Sequence, residues 1–211
     1  LLPDSALRRR IEIPDRIRLR GTAGADKGAF SAASTLSTDG GEIALQSRLD
    51  TRSEAYGIEL RCDSFPLNSF LPADSLGLLD LALQAGGSGF DPLRAQTRGN
   101  IRLQVDRAEF RGRDFGGVEL NANLEGGQLS GRLSDRDEAL RLLLLISGTL
   151  TERKQEVRLT CNVFDFDLAE LGISPQKIGG SFALEAGASA SDAGSYTARI
   201  ALDSIEVRTR H

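Results

Sequence analysis

The sequence predicts an all-β fold, and three observations carry that expectation. Apolar and polar residues alternate with period two through most of the 211 residues. Glycine clusters interrupt the alternation at short intervals, among the 23 glycines of the chain. Helical periodicity is almost absent. Together they give roughly a dozen short strands, each with one apolar and one polar face.

The elements follow in order. In "GEIALQSRLD" the residues Ile43, Leu45 and Leu49 share one face, and Glu42, Gln46, Arg48 and Asp50 the other. "IELRC" aligns Ile58, Leu60 and Cys62, and "LALQAG" aligns Leu81 and Leu83. "NIRLQVD" sets Ile101, Leu103 and Val105 against Arg102, Gln104 and Asp106. "GVELNANLE" sets Val118, Leu120, Ala122 and Leu124 against Glu119, Asn121, Asn123 and Glu125. The run Leu142 to Ile146 is too short for a membrane helix and reads as a buried strand, with Leu142, Leu144 and Ile146 on one face. "EVRLTCNV" aligns Val157, Leu159, Cys161 and Val163, "FALEAG" aligns Phe182 and Leu184, and "IALD" aligns Ile200 and Leu202. Turns are signalled at Asp39-Gly40-Gly41, Gly86-Gly87-Ser88-Gly89, Gly126-Gly127 and Gly179-Gly180. Two short apolar turns, near Leu67 to Leu71 and Asp167 to Leu171, are the only helical candidates.

The chain also repeats itself. "IELRCDSFPLNSFL" lines up with "VRLTCNVFDFDLAEL" at a constant offset of 99 residues. Ile58 falls on Val157, Leu60 on Leu159, Cys62 on Cys161, Phe65 on Phe164 and Leu67 on Phe166. "LALQAG" then matches "FALEAG", and "VDRAEFR" matches "LDSIEVR". In the last pair the apolar parity flips at the same place, from Val105 to Ala108 and Phe110, and from Leu202 to Ile205 and Val207. A shared one-residue slip predicts a shared β-bulge. The reading is one continuous β fragment, 1–211, of two units, about 12–110 and 111–208. Cysteines one unit apart lie tens of Å from each other in such an array, so Cys62 and Cys161 are expected to be free thiols.

Composition narrows the chemistry. A net charge of −4 gives no field for nucleic acid. The single histidine is the terminal His211, so no Ser-His-Asp or Cys-His arrangement can be assembled. Histidine ligand sets for zinc are equally missing. "GGSG" at 86 lacks the tail of a phosphate loop and reads as a turn. Asp165-x-Asp167 and Asp135-x-Asp137-Glu138 lack the remaining ligands of a calcium loop and read as solvated turns. We expect no enzyme, no metal and no cofactor. The chain begins at Leu1 without initiator methionine or signal peptide, and is expected to be a piece of a longer protein.

One-faced strands, glycine punctuation, a unit near 100 residues and an apolar mini-turn after one strand form a recognisable pattern. It rests on the "L-x-C-x-x-F-x-(Leu/Phe)" segments at 60–67 and 159–166, with the strands "LDLALQAGGSG" and "GGSFALEAGAS" that follow. This pattern resembles the TamB and AsmA-like proteins of Gram-negative envelopes, relatives of the bridge-like lipid-transfer proteins. The resemblance implies a β-taco, a long antiparallel sheet curled into a U-shaped groove that is apolar inside. It implies a conduit in the periplasm that carries phospholipid between the membranes or assists outer-membrane biogenesis. An inner-membrane anchor and an Omp85-type barrel partner would belong to segments outside this sequence. The apolar residues named above, from Ile43 to Leu202, then become the expected groove lining. A dry sandwich, a β-solenoid stalk, an outer-membrane-protein assembly scaffold and a piece of an outer-membrane barrel are the competing readings. The barrel is disfavoured because the chain has no tryptophan and only Tyr56 and Tyr196 to form aromatic girdles.

Overall fold

The alternating segments pleat into a single antiparallel sheet. The computed structural model describes residues 16–71, 76–191 and 194–209; His211 lies outside them. The first six strands are β1 (Ile17–Asp26), β2 (Ala29–Thr38), β3 (Glu42–Asp50), β4 (Ala55–Pro66), β5 (Leu76–Ser88) and β6 (Arg98–Phe110). The two-residue β7 (Arg113–Asp114) folds back on β6. Six more follow: β8 (Val118–Glu125), β9 (Gln128–Arg136), β10 (Leu140–Leu150), β11 (Lys154–Asp167), β12 (Ile178–Ser191) and β13 (Tyr196–Thr209). The long strands pair strictly in chain order without a crossover. Two-residue turns fix this between β1 and β2 and between β8 and β9, since only antiparallel neighbours can be joined so briefly. Lys27-Gly28 and Gly126-Gly127 both hold positive φ at both positions, the geometry that matches the twist of the flanking strands.

The ends of this order, β1 and β13, do not pair, so the sheet is open and not a barrel. Among the described residues no second layer covers it. The chain exposes 14226 Å², whereas a globular protein of 22.6 kDa exposes about 9,500 Å². Among the described residues the buried hydrophobic ones are Cys62, Phe65, Ala139 and Val163, and no large side chain is fully enclosed. The sandwich reading therefore fails. The run expected to be a buried strand is part of β10, and only one of its faces is apolar in context. Leu143 and Leu145 turn to the polar side, where Leu145 is 40% exposed.

Strand register corrects the sequence alignment of the two units. The bulge in β4 lies between Cys62 and Phe65, opposite Leu81 and Leu79; that in β11 lies between Val163 and Phe166, opposite Phe182 and Gly180. The geometric counterpart of Cys62 is thus Val163, not Cys161, and that of Phe65 is Phe166, not Phe164. Phe164 sits in the bulge and is 49% exposed. A slip of two residues leaves every side chain on its own face, so alternation alone could not reveal it. The slips expected in the last strand of each unit are present. β6 gains a residue between Val105 and Arg107 against β5, and β13 gains one between Asp203 and Glu206 against β12.

Candidate functional site

Register turns the alternation into rows that run across the sheet, perpendicular to the strands. One row carries Leu45, Leu60, Leu83, Leu103, Leu120, Leu133, Leu144, Cys161, Leu184 and Leu202 as successive Cα partners. The row beside it carries Leu36, Ile43, Cys62, Leu81, Val105 and Val118, then Leu142, Val163 and Phe182. On the other flank a row joins Ile58, Ala85, Ile101, Ala122, Gly131, Ile146, Leu159, Ala186 and Ile200. Beyond it lie Leu49, Tyr56, Gly87, Gly99, Leu124, Leu129, Gly148 and Val157. All the residues expected to line a groove therefore share one face. Eleven strand spacings of about 4.8 Å make that face roughly 50 Å long.

The two faces differ in exposure as well as in chemistry. In β8 the apolar residues Val118, Leu120, Ala122 and Leu124 are half-buried, while Glu119, Asn121, Asn123 and Glu125 are exposed. Bowing toward the apolar side produces this difference, and a long-range clasp shows it at one end. Four strand spacings, about 19 Å, separate β6 from β11 along the sheet. Arg113, just past β6, nevertheless pairs with Glu170 in the turn after β11, and Arg111 Nη1 donates to the Gly172 carbonyl at 3.3 Å. Toward the edges the face opens: Leu19 of β1 is 70% exposed and Ile200 of β13 is 75% exposed.

The corner end is the dry part. Phe65 is 3% exposed and stacks on Phe70, with ring centroids 5.2 Å apart, as the 3₁₀ turn Leu67–Ser69 folds back over the apolar face. In the second unit Phe166 meets Phe182 edge-on at 6.3 Å. Cys62 and Cys161 are free thiols, six strands apart and both on the apolar face. Burial pushes the Cys62 thiol above its ordinary value, with Asp63 and Asp80 adding to the effect.

A polar staple holds the first corner from the outside. Ser64 adopts positive φ in the bulge. Its N–H donates to the Asp80 carboxylate, which also pairs with Arg107 Nε at 2.7 Å. Glu109 accepts the Leu78 N–H at 3.0 Å. The Ser64 N–H, and after it Arg107, hold the Asp80 carboxyl below the usual carboxylate range. A lowered folded-state value means stabilisation that is present above about pH 4 and lost as pH falls through the folded value. Asp80→Asn should therefore unfold about 1–2 kcal/mol more easily at pH 7. In urea titrations its deficit should shrink below pH 4; a deficit constant with pH would refute the charged role.

The acidic clusters are turn caps. Asp135 accepts the Asp137 N–H at 2.9 Å, Asp137 accepts the Ala139 N–H at 2.7 Å, and Asp167 accepts the N–H groups of Ala169 and Glu170. Asp135 faces Leu142 across the apolar side, and burial raises its carboxyl above the usual range. Among the described residues no group of three His, Cys, Asp or Glu side chains is placed to hold a metal. The polar face carries a depression of about 420 Å³ where Gly57 and Gly86 lack side chains, bordered by Gln46, Arg48, Glu59 and Gln84. Missing side chains account for it.

Several residues of this apolar face lie outside those assigned to it from the sequence: Leu36, Tyr56, Leu79, Leu129 and Leu133. Leu129 and Leu133 alternate correctly in "QLSGRLSD", but Gly131 between them hides the period. Leu36 sits in a run of Ala, Ser and Thr that has no apolar contrast. No protein-family model, no curated protein and no solved structure matches the chain.

Proposed function

We propose that this chain is a segment of a lipid conduit whose apolar face holds phospholipid acyl chains, in the manner of TamB and AsmA-like proteins. The observation that carries the reading is the set of apolar rows that run from strand to strand, one of them interrupted at Asp135, with no second layer over them among the described residues. A monomer in water rarely leaves more than a few hundred Å² of contiguous apolar surface open; larger patches mark interaction sites. A long row-lined surface suits a flexible chain better than a shaped small molecule. Each methylene buried there contributes about 0.8 kcal/mol, so two acyl chains are held without headgroup recognition, and lipids can slide from row to row. The polar opposite face fits an aqueous compartment, and the reading places the protein in the periplasm of a Gram-negative bacterium. An inner-membrane anchor and an Omp85-type barrel partner are proposed to lie in segments beyond this sequence, and the activity is transfer, not catalysis.

A second reading, a scaffold for outer-membrane protein assembly, draws on β1 and β13, which stand at the ends of the strand order among the described residues, where an incoming strand would add. The test between them is the organic extract of the purified chain. Mass spectrometry should find phospholipid, or the purification detergent in its place, in stoichiometric amount. A chain that is folded by circular dichroism but lipid-free, and that takes up none from phosphatidylethanolamine vesicles, would rule out the conduit.

A further inference from the structure

We infer that Arg113 receives the acidic head of a bound lipid, the phosphate diester of a diacyl phospholipid, and that Glu170 holds that place on an empty face. The inference rests on the conduit reading and adds a headgroup preference to it. The two-residue β7 folds back on β6 so that Arg113 pairs with Phe110, and Asp114 with Glu109. Residues opposite each other in an antiparallel pair point to the same face. Phe110 follows Ala108 on the apolar side of β6, so Arg113 stands on that side too, while Asp114 and Glu109 point away from it. An arginine on a face of Leu, Ile, Val and Phe requires an acidic partner.

The partner within the chain satisfies it incompletely. Glu170, in the turn after β11, reaches Arg113 at Nη1. The Nε–H is buried and has no hydrogen-bond partner; no other buried side-chain nitrogen or oxygen among the described residues is in that state. A guanidinium presents its donors in a planar fork, and the edge that carries Nε suits two oxygens of one phosphate. The fork is held in position beside the Phe115 ring, with its Cζ 5.6 Å from the centroid. Arg111 adds a second positive charge in the same loop, where it lies over Phe110 at 5.0 Å and donates to the Gly172 carbonyl. The other acids of this end are engaged elsewhere. Glu109 accepts the Leu78 N–H, Asp114 the Ala108 N–H, and Asp167 caps the turn that carries Glu170. Asp135, on the apolar side but further in, accepts the Asp137 N–H.

The place suits a lipid head because the apolar rows give out there. β8 begins at Val118, opposite Val105, so Arg113, opposite Phe110, lies beyond the end of β8. A lipid whose chains lie along Val118 and Leu120 leaves the rows at the level of Arg113 and the exposed Arg111. Burial of the chains supplies the holding; the fork adds a choice of head. Phosphate and the Glu170 carboxylate compete for one guanidinium, and the phosphate, with more oxygens to offer, also fills the Nε–H.

Selectivity between two lipids with identical chains tests this. The full chain is incubated with dodecyl maltoside micelles holding equal amounts of dioleoylphosphatidylglycerol and dioleoylglycerol, re-isolated, and its lipid analysed by mass spectrometry. The wild type should carry the phosphate lipid in about tenfold excess, the effect of one charge-assisted pair. Arg113→Gln should carry the two lipids equally. Glu170→Gln, which frees the fork, should raise the excess about threefold. A pair that only held the fold would make R113Q and E170Q act alike. That result, or a wild type without preference, would overturn the inference and leave the conduit reading standing. A wild type that carries neither lipid would instead end the conduit reading, and this inference with it. Excess glycerol 3-phosphate, the head without chains, should leave the preference in place; if it abolishes the preference, the site takes soluble phosphates and the lipid assignment falls. Glu170 is more than half exposed, so E170Q keeps the test sound if R113Q disturbs the loop.

Discussion

Phe65→Ala is expected to lower the unfolding free energy by about 3–5 kcal/mol, the usual cost of removing a buried aromatic. For a chain of this length that is a fall in melting temperature on the order of 10 °C. The share is large because so little else is enclosed: Phe65 is one of four buried hydrophobic residues among those described. Its ring joins the end of β4 to Leu79 of β5 and lies against Phe70 of the corner turn. Removing it leaves a cavity that an open sheet has no second layer to fill. Phe164→Ala provides the comparison. The sequence alignment makes Phe164 the equivalent of Phe65, but the structure leaves it half exposed in the β11 bulge. Its loss should cost less than about 1 kcal/mol. Urea unfolding followed by far-ultraviolet circular dichroism measures both. Equal losses would mean that the alignment, and not the register, describes the second corner.

Leu103→Asp and Leu159→Asp should each cut phospholipid binding about tenfold or more, while Arg102→Asp and Arg158→Asp should leave it nearly unchanged. The four positions alternate on β6 and β11, so the pairs differ in face and not in strand. A carboxylate in the acyl path must be desolvated or must exclude the chain, at a cost of several kcal/mol, and 1.4 kcal/mol is already tenfold. On the polar face the same change stays in water. Leu103 and Leu159 are only half-buried and have no second layer to disturb, so the fold should survive both substitutions. Retention of a photoactivatable phospholipid, scored after vesicle incubation, gives the comparison. Similar losses on both faces would dismiss the conduit reading.

Much of this was legible because a strand's side-chain period is a local property. Ile101, Leu103 and Val105 share a face as soon as the segment is extended, whatever lies beside it. The turn at Gly126-Gly127 was equally plain, since two consecutive positive φ values suit glycine best. The polar staple was not legible. Asp80 and Ser64 are sixteen residues apart, and only the bulge in β4 turns the Ser64 N–H toward that carboxylate. The clasp of Arg113 and Glu170 was hidden for the same reason, because 57 residues separate its ends and curvature closes the distance.

The sequence by itself determined the strand content and the face to which each apolar residue belongs, because both follow from a strand's local period. The order in which the strands pair came from the structure. Only the tertiary structure decided which residues stand side by side across strands. A slip of two residues preserves every face and every turn signal, so the bulges, and not the pattern, moved the partner of Cys62 from Cys161 to Val163. The tertiary structure also decided that the apolar face is open. A strand with one dry side reads the same whether it faces a second sheet or nothing, and among the described residues no other layer lies beneath the sheet.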